Sequence, residues 1–349
     1  MATERLISPQ RTRPEEEQAA WSLRPSRMDE YVGQRELVER LAITIQAVRE
    51  RGEAMEHVLL HGPPGLGKTT LAHVIANEMG SRVHMSSGPA LAKGTDLASV
   101  LTRMTAGDVL FIDEIHRLPI AVEEFIYPAM EDFRIDVTID AGLNARTVHI
   151  DCQPFALIGA TTRAGLLSSP LRSRFGIVHH LRYYDPADLL VILQRSARLL
   201  SIEVESEGAL AKIAARSRGT PRIANRLLRR VRDYAQVKAD AVITEPIVDR
   251  SLALEGVDHL GLDELDRSYL RTIADVYEGG PVGLEAAAAT MNEDAGTLED
   301  VVEPYLLQIG FLARTRRGRQ LTRAGAEHVG MKASAVERLS TSSLFESPK

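Results

Sequence analysis

Cysteine is almost absent from this chain: Cys152 is the only one in 349 residues. A lone cysteine excludes an intramolecular disulfide framework, and no group of Cys and His has the spacing of a zinc site. A reducing compartment is the expectation that follows. Also missing is any apolar run of membrane-spanning length, and residues 1–17 alternate polar and charged side chains without the apolar core of a secretory leader. The sequence reads as that of a cytoplasmic protein. Positive charge is not in excess either, because 42 Lys and Arg face 48 Asp and Glu, for a formal net charge of −6. That balance excludes whole-molecule attraction to nucleic acid, so any basic surface must be local. What remains is an ordinary globular composition, 44% hydrophobic and 26% charged, over a length that suggests about two or three domains.

One stretch carries chemistry at once. Gly62-Pro63-Pro64-Gly65-Leu66-Gly67-Lys68-Thr69 follows an apolar strand-like run, Val58-Leu59-Leu60, and precedes a helix-like run containing Leu71, Ala72, Val74 and Ile75. Strand, glycine-rich turn and helix in that order make a phosphate cradle. Gly62, Gly65 and Gly67 let backbone N–H groups turn inward on a phosphate, Lys68 adds a point charge, Thr69 offers a hydroxyl to Mg²⁺, and the helix dipole faces the anion.

A second motif answers the first. Asp108-Val109-Leu110-Phe111-Ile112-Asp113-Glu114 is an apolar run ending in two carboxylates, the signature of a buried parallel strand with charge at its C-terminal edge. Ligands bind at that edge in open α/β sheets. Asp113 suits the Mg²⁺ shell and Glu114 suits the polarisation of an attacking water. No Asn-Lys-x-Asp or Thr-Lys-x-Asp segment that would read guanine occurs in the sequence, which favours ATP.

Further strand candidates at 82–85 and 155–160 extend a strand-then-helix rhythm, which predicts an α/β fold with a parallel sheet covered by helices. Before it, Leu37, Leu41, Ile45 and Val48 recur at helical spacing. Alternating segments at 133–140 and 147–151, around Ala141-Gly142-Leu143-Asn144, predict a β-hairpin inserted near 133–151. It serves either as a supporting ribbon or as a docking arm. From 185 to about 255 the periodicity is helical throughout, the pattern of a small helical lid. From 256 to 330 three helical segments precede two short strands around a glycine turn, the outline of a winged helix. The expected organisation is a flexible segment at 1–20, a large domain at 21–184, the lid at 185–255, the head at 256–330 and a flexible tail at 331–349.

The predicted wing holds Arg314, Arg316, Arg317 and Arg319, and no Asp or Glu lies between Glu303 and Glu327. Guanidinium groups fork onto phosphates, so a rigid ribbon of them suits contact with duplex DNA backbone without base reading.

Four more segments complete a resemblance that covers nearly the whole chain from Leu23 to about Gly330. These are Leu23-Arg24-Pro25 with Tyr31-Val32-Gly33-Gln34, Gly159-Ala160-Thr161-Thr162-Arg163, Ser169-Pro170-Leu171-Arg172-Ser173-Arg174-Phe175, and Gly219-Thr220-Pro221-Arg222. Together, in this order, they resemble the RuvB family of AAA+ ATPases that drive branch migration of Holliday junctions. The resemblance implies a base-binding entrance at Leu23 and Arg24, a sensor at Thr162 beside the γ-phosphate, and an arginine finger at Arg174 with Arg172 as a competitor. It also implies a second sensor at Arg222, and nucleotide-pocket roles for Thr70, Glu131, Asp132, Phe133 and Tyr184. Val148 and Ile150 of the hairpin would dock the partner RuvA, and Arg314 and Arg319 would contact DNA. The implied assembly is a homohexameric ring on duplex DNA at Holliday junctions, working with RuvA and the RuvC resolvase, with ATP and Mg²⁺. A clamp-loader-like ATPase and an ATP-switched winged-helix regulator are the alternatives. The basic wing argues against the first and intact Asp113-Glu114 against the second.

Overall fold

The computed structural model describes residues 21–139 and 146–331. The expected flexible segment at 1–20, the turn at Ala141-Gly142-Leu143-Asn144 and all but the first residue of the expected tail at 331–349 lie outside the described residues.

The described chain falls into two compact units, one running to Ile192 and the other from Leu193 onward. The first unit opens with helix α1 (Arg35–Arg51), whose buried residues are Leu37, Leu41, Ile45 and Val48. Strand and helix then alternate through β1 (Val58–His61), α2 (Lys68–Met79), β2 (Val83–Ser87), α3 (Gly94–Leu101), β3 (Val109–Asp113) and α4 (Ile120–Glu131). The hairpin β4 (Arg134–Ile139) and β5 (Arg146–Asp151) interrupts the rhythm, which resumes with β6 (Ala156–Thr161), α5 (Ser169–Ser173) and β7 (Ile177–His180). Five strands pair in parallel in the order β2-β3-β6-β1-β7. Central strands β3 and β6 are buried on both faces, which is why they read as unbroken apolar runs rather than alternating ones.

β7 is the strand that the apolar pattern misses. Only Ile177 of its four residues is buried, and His179 and His180 fill half its length. An edge strand this short carries no periodic signal.

Helix α6 (Pro186–Leu199) leads into the second unit, where α7 (Glu207–Ala215), α8 (Pro221–Lys238) and α9 (Glu245–Leu254) form the lid. Strands β8 (Glu203–Val204) and β9 (Val242–Ile243) add a two-residue parallel ribbon, too short to register as alternation. The head then packs α10 (Glu264–Asp275), α11 (Leu284–Met291), α12 (Ala295–Thr297) and α13 (Glu303–Gln308) around Tyr269, Leu270, Ile273, Val302 and Leu306. A π-helical turn over Leu298–Val302 joins α12 to α13. β10 (Leu312–Thr315) and β11 (Gly318–Leu321) form the antiparallel wing, and α14 (Arg323–His328) closes the fold.

Candidate nucleotide site and arginine wing

The loop between β1 and α2 turns through three glycines in the left-handed region, Gly62, Gly65 and Gly67. At Gly62 a Cβ atom would lie 2.5 Å from the Leu181 carbonyl oxygen, so the close approach of β7's exit requires glycine. Gly67 is the N-cap of α2 and no side chain caps that helix. An external anion can take its first-turn N–H groups instead, the arrangement that binds phosphate. Lys68 is buried and donates from Nζ to the carbonyls of Gly62 and Pro63, both at 2.8 Å. Those bonds hold its ammonium inside the cradle. Thr69 and Thr70 follow in the same first turn.

Beside the cradle, Tyr184 Oη lies 3.2 Å from Tyr31 Oη and 3.4 Å from the Leu66 carbonyl. Both rings are buried, and Gly33 and Gly67 are the residues they pack against. Burial pushes the Tyr184 hydroxyl up to about 12 and raises that of Tyr31 well above its ordinary value, so both stay neutral. Leu23 is buried, while the Arg24 guanidinium sits 3.9 Å from the centre of the Trp21 ring. In the sequence Tyr31 is marked as the first residue of the Tyr31-Val32-Gly33-Gln34 segment that carries the family resemblance.

Strand order puts the rest of the chemistry at one sheet edge. β6 lies between β1 and β3, so Thr162, just past β6, stands between the cradle and Asp113 at the end of β3. The Asp113 carboxylate accepts the Glu114 N–H at 3.0 Å. Glu114 has φ 49°, a left-handed conformation in a residue with a side chain, which costs on the order of 1–3 kcal/mol and is typical of functional sites. His116 Nδ1 reaches two groups here, the Thr161 hydroxyl at 2.8 Å and the Glu114 carboxylate at 3.4 Å. It ties the acidic strand end to the strand that leads to Thr162. Nothing in the spacing marks His116. The Thr69 hydroxyl and Asp113 carboxylate are hard oxygen donors, and with Lys68 in the cradle they fit Mg²⁺ and a polyphosphate.

Arg174 ends α5. It donates from Nη1 to the Pro170 carbonyl at 2.7 Å, pairs through Nη2 with Glu131 at 3.1 Å, and lies 4.4 Å from the centre of the Tyr127 ring. Arg172 is exposed. The structure thus separates two arginines between which the sequence does not choose: one is held in a defined seat, the other is not. Glu131 shares the Arg174 surface; Asp132 is exposed, and Phe133 turns its ring onto Phe155 at 6.0 Å.

In the hairpin, Ile150 pairs with the buried Ile135 and Val148 with Val137. Val148 is 41% exposed, so the apolar face begins in the core and emerges toward the tip. Arg222 belongs to the second unit, in the first turn of α8 behind Pro221.

The wing arginines have a partner that the sequence conceals. Glu303, at the start of α13, has no exposed surface. It accepts from Tyr269 Oη at 2.7 Å, from Arg314 Nε at 2.8 Å and from Arg319 Nε at 2.8 Å. Glu299 adds a second carboxylate 3.6 Å from Arg319. The acid-free interval between Glu303 and Glu327 is thus framed by an acid that folds back into it. Arg316, at the ribbon's turn, is exposed.

Cradle, acidic strand end, helical lid and winged helix define a P-loop ATPase of the AAA+ class with a C-terminal winged-helix domain. Models of the Holliday junction DNA helicase RuvB P-loop domain, the RuvB AAA lid domain and the RuvB C-terminal winged helix domain match residues 23–181, 184–258 and 259–330. The chain belongs to the RuvB family of Holliday junction branch migration motors. The Thermotoga maritima RuvB Holliday junction branch migration motor is similar with a TM-score of 0.81 and 50% identity, over 89% of this chain and 99% of that one. A mutant of that protein gives a TM-score of 0.82 at 51% identity over the same shares. Among the described residues no helix is long and apolar enough to cross a membrane.

Proposed function

We propose that this chain is a DNA-dependent ATPase that assembles as a hexameric ring around duplex DNA and, with RuvA, drives branch migration at Holliday junctions. The observation that carries the reading is the convergence of Lys68, Thr162, Asp113 and Glu114 at one edge of the sheet, in a chain that also presents an arginine wing.

Lys68 and the loop amides bind the β- and γ-phosphates of ATP, while Leu23, Arg24, Tyr31 and Tyr184 form the entrance for the base. Thr69 and Asp113 hold Mg²⁺, which when bound neutralises charge on the phosphate oxygens. Glu114 takes the proton of the attacking water, and His116 holds its carboxylate until then. Thr162 reads the γ-phosphate from the sheet, and Arg222 serves as a second nucleotide sensor. Arg174, paired with Glu131, faces the neighbouring subunit's nucleotide, so each active site is completed in trans, and Glu131, Asp132 and Phe133 belong to the nucleotide pocket. Val148 and Ile150 dock on RuvA, Arg314 and Arg319 present the wing to the DNA backbone, and RuvC joins the same junction complex in the cytoplasm.

ATP turnover measured with and without circular duplex DNA, and with and without RuvA, tests this. Stimulation by DNA that rises further with RuvA is the expected result. Turnover indifferent to both would leave an ATPase that is not a branch-migration motor.

A further inference from the structure

A buried arginine of the lid reaches into the winged head. Arg218 lies in the turn between α7 and α8, four residues before Arg222, and is almost fully buried. Its backbone is left-handed, φ 52°, followed by Gly219 at φ 65°. That double turn departs from the usual surface course of a loop and sends the side chain into the head. There Nη2 pairs with Asp266, which has no exposed surface, and Nε donates to the Gly261 carbonyl at 2.8 Å. The guanidinium also lies 5.0 Å from the centre of the Tyr305 ring.

Each of these partners is itself fixed. Asp263 and Asp266 form the capping box of α10, with bonds of 3.0 and 2.8 Å. Tyr305 Oη donates to the Leu260 carbonyl at 2.6 Å. A Cβ atom at Gly261 would lie 2.5 Å from the Arg216 carbonyl, so the two backbones meet directly. A buried guanidinium that engages a carboxylate, a carbonyl and an aromatic face permits one arrangement of the segments it joins.

We propose that Arg218 is the positioning residue that locks the head to the lid, so that displacement of α8 and its Arg222 carries the arginine wing with it. This rests on the motor reading. The lock makes Arg222 and the wing two ends of one rigid body, and gives nucleotide-dependent lid movement a direct route to DNA.

Full-length Asp266→Asn preserves the shape of the capping box and removes the charge that Arg218 faces; Arg218→Lys keeps the charge and loses the fork. Asp249→Asn, which removes the Lys212 and Arg216 ion pairs inside the lid, is the control. Calorimetric unfolding should show the head melting apart from the lid in both test variants and not in the control. Basal ATP turnover should hold, while DNA movement per ATP falls about tenfold, within the usual range of coupling between sites. Unaltered unfolding in both variants overturns the lock. Separate melting with movement per ATP unchanged overturns its role in transmission, as does basal turnover falling in parallel with movement. If the wild type moves no DNA, the motor reading fails, and the unfolding traces still decide the lock.

Discussion

Arg319 donates from Nε to the Oε1 atom of Glu303 at 2.8 Å, at a carboxylate with no exposed surface. Arg314 takes the other oxygen, with its Nη2 2.5 Å from Oε2. Arg314 and Arg319 are thus structural counter-ions of the head before they are anything to DNA. Replacing both by alanine strips the buried carboxylate of these two cations and leaves it the Tyr269 hydroxyl, which costs about 3–5 kcal/mol. Denaturant unfolding of Arg314→Ala plus Arg319→Ala should register that loss in the head. Equal stability would mean the carboxylate finds water or another donor.

The same cluster sets a pH limit. Burial pushes the Glu303 carboxyl up, but the bonds from Arg319, Tyr269 and Arg314 outweigh it and hold the group below its ordinary value. A carboxylate depressed in the folded state contributes stability that is fully present above the unfolded value of about 4.3 and disappears as pH falls through the folded one. Stability of the wild-type head should gain from this group at neutral pH and lose that gain below about pH 4.3. Glu303→Gln should lack this acid-dependent loss. A parallel pH profile for the two proteins would remove Glu303 as its source.

The proposed contact of the wing with DNA is tested through salt. The slope of log K against log salt changes by about 0.9 for each phosphate that a cation neutralises. Arg316→Ala removes an exposed guanidinium at the turn, away from the Glu303 cluster, and should flatten the slope by about 0.9 with stability unchanged. Arg314→Ala plus Arg319→Ala should flatten it by about 1.8, measured where the head remains folded. A slope indifferent to all three substitutions leaves the wing without a role in binding DNA.

Much of this is legible in order and little of it in depth. The cradle, the acidic strand end and the four principal strands are each an unbroken stretch of sequence, so local pattern exposes them. His116, Tyr127 and Glu303 act through partners on other elements: His116 meets Thr161, Tyr127 lies under Arg174, and Glu303 receives Arg314 and Arg319 from the ribbon. No periodicity encodes such meetings, because they arise from topology. Arg218 shows the same limit, since its left-handed turn directs an arginine, normally a surface residue, into the packing between lid and head.

The roles proposed for Glu114 and His116 are tested by turnover. Glu114→Gln should retain nucleotide affinity while lowering turnover by about 10² to 10⁴, the usual worth of an acid–base group. His116→Ala leaves the base in place but frees its carboxylate and uncouples it from Thr161, so turnover should fall less than with Glu114→Gln and nucleotide affinity should hold. Turnover near wild type in Glu114→Gln would assign the water to another group.

Arg174 is seated between Glu131, the Pro170 carbonyl and the Tyr127 ring. A guanidinium held this way is already oriented, and an oriented finger contributes about 10³ to 10⁵ in rate when it meets developing phosphate charge. Arg174→Ala should therefore abolish most turnover while the subunit's own cradle remains intact. Lys68→Ala should do the reverse, disabling the cradle and sparing the finger. Mixing the two inactive proteins should restore activity at those interfaces where an intact cradle meets an intact finger, and titrating their ratio should give a maximum between the pure forms. Tyr127→Leu, which removes the aromatic seat but no charge, should lower turnover less than Arg174→Ala. If mixing restores nothing while mixed rings form, Arg174 does not act across the interface and the exposed Arg172 becomes the residue to substitute.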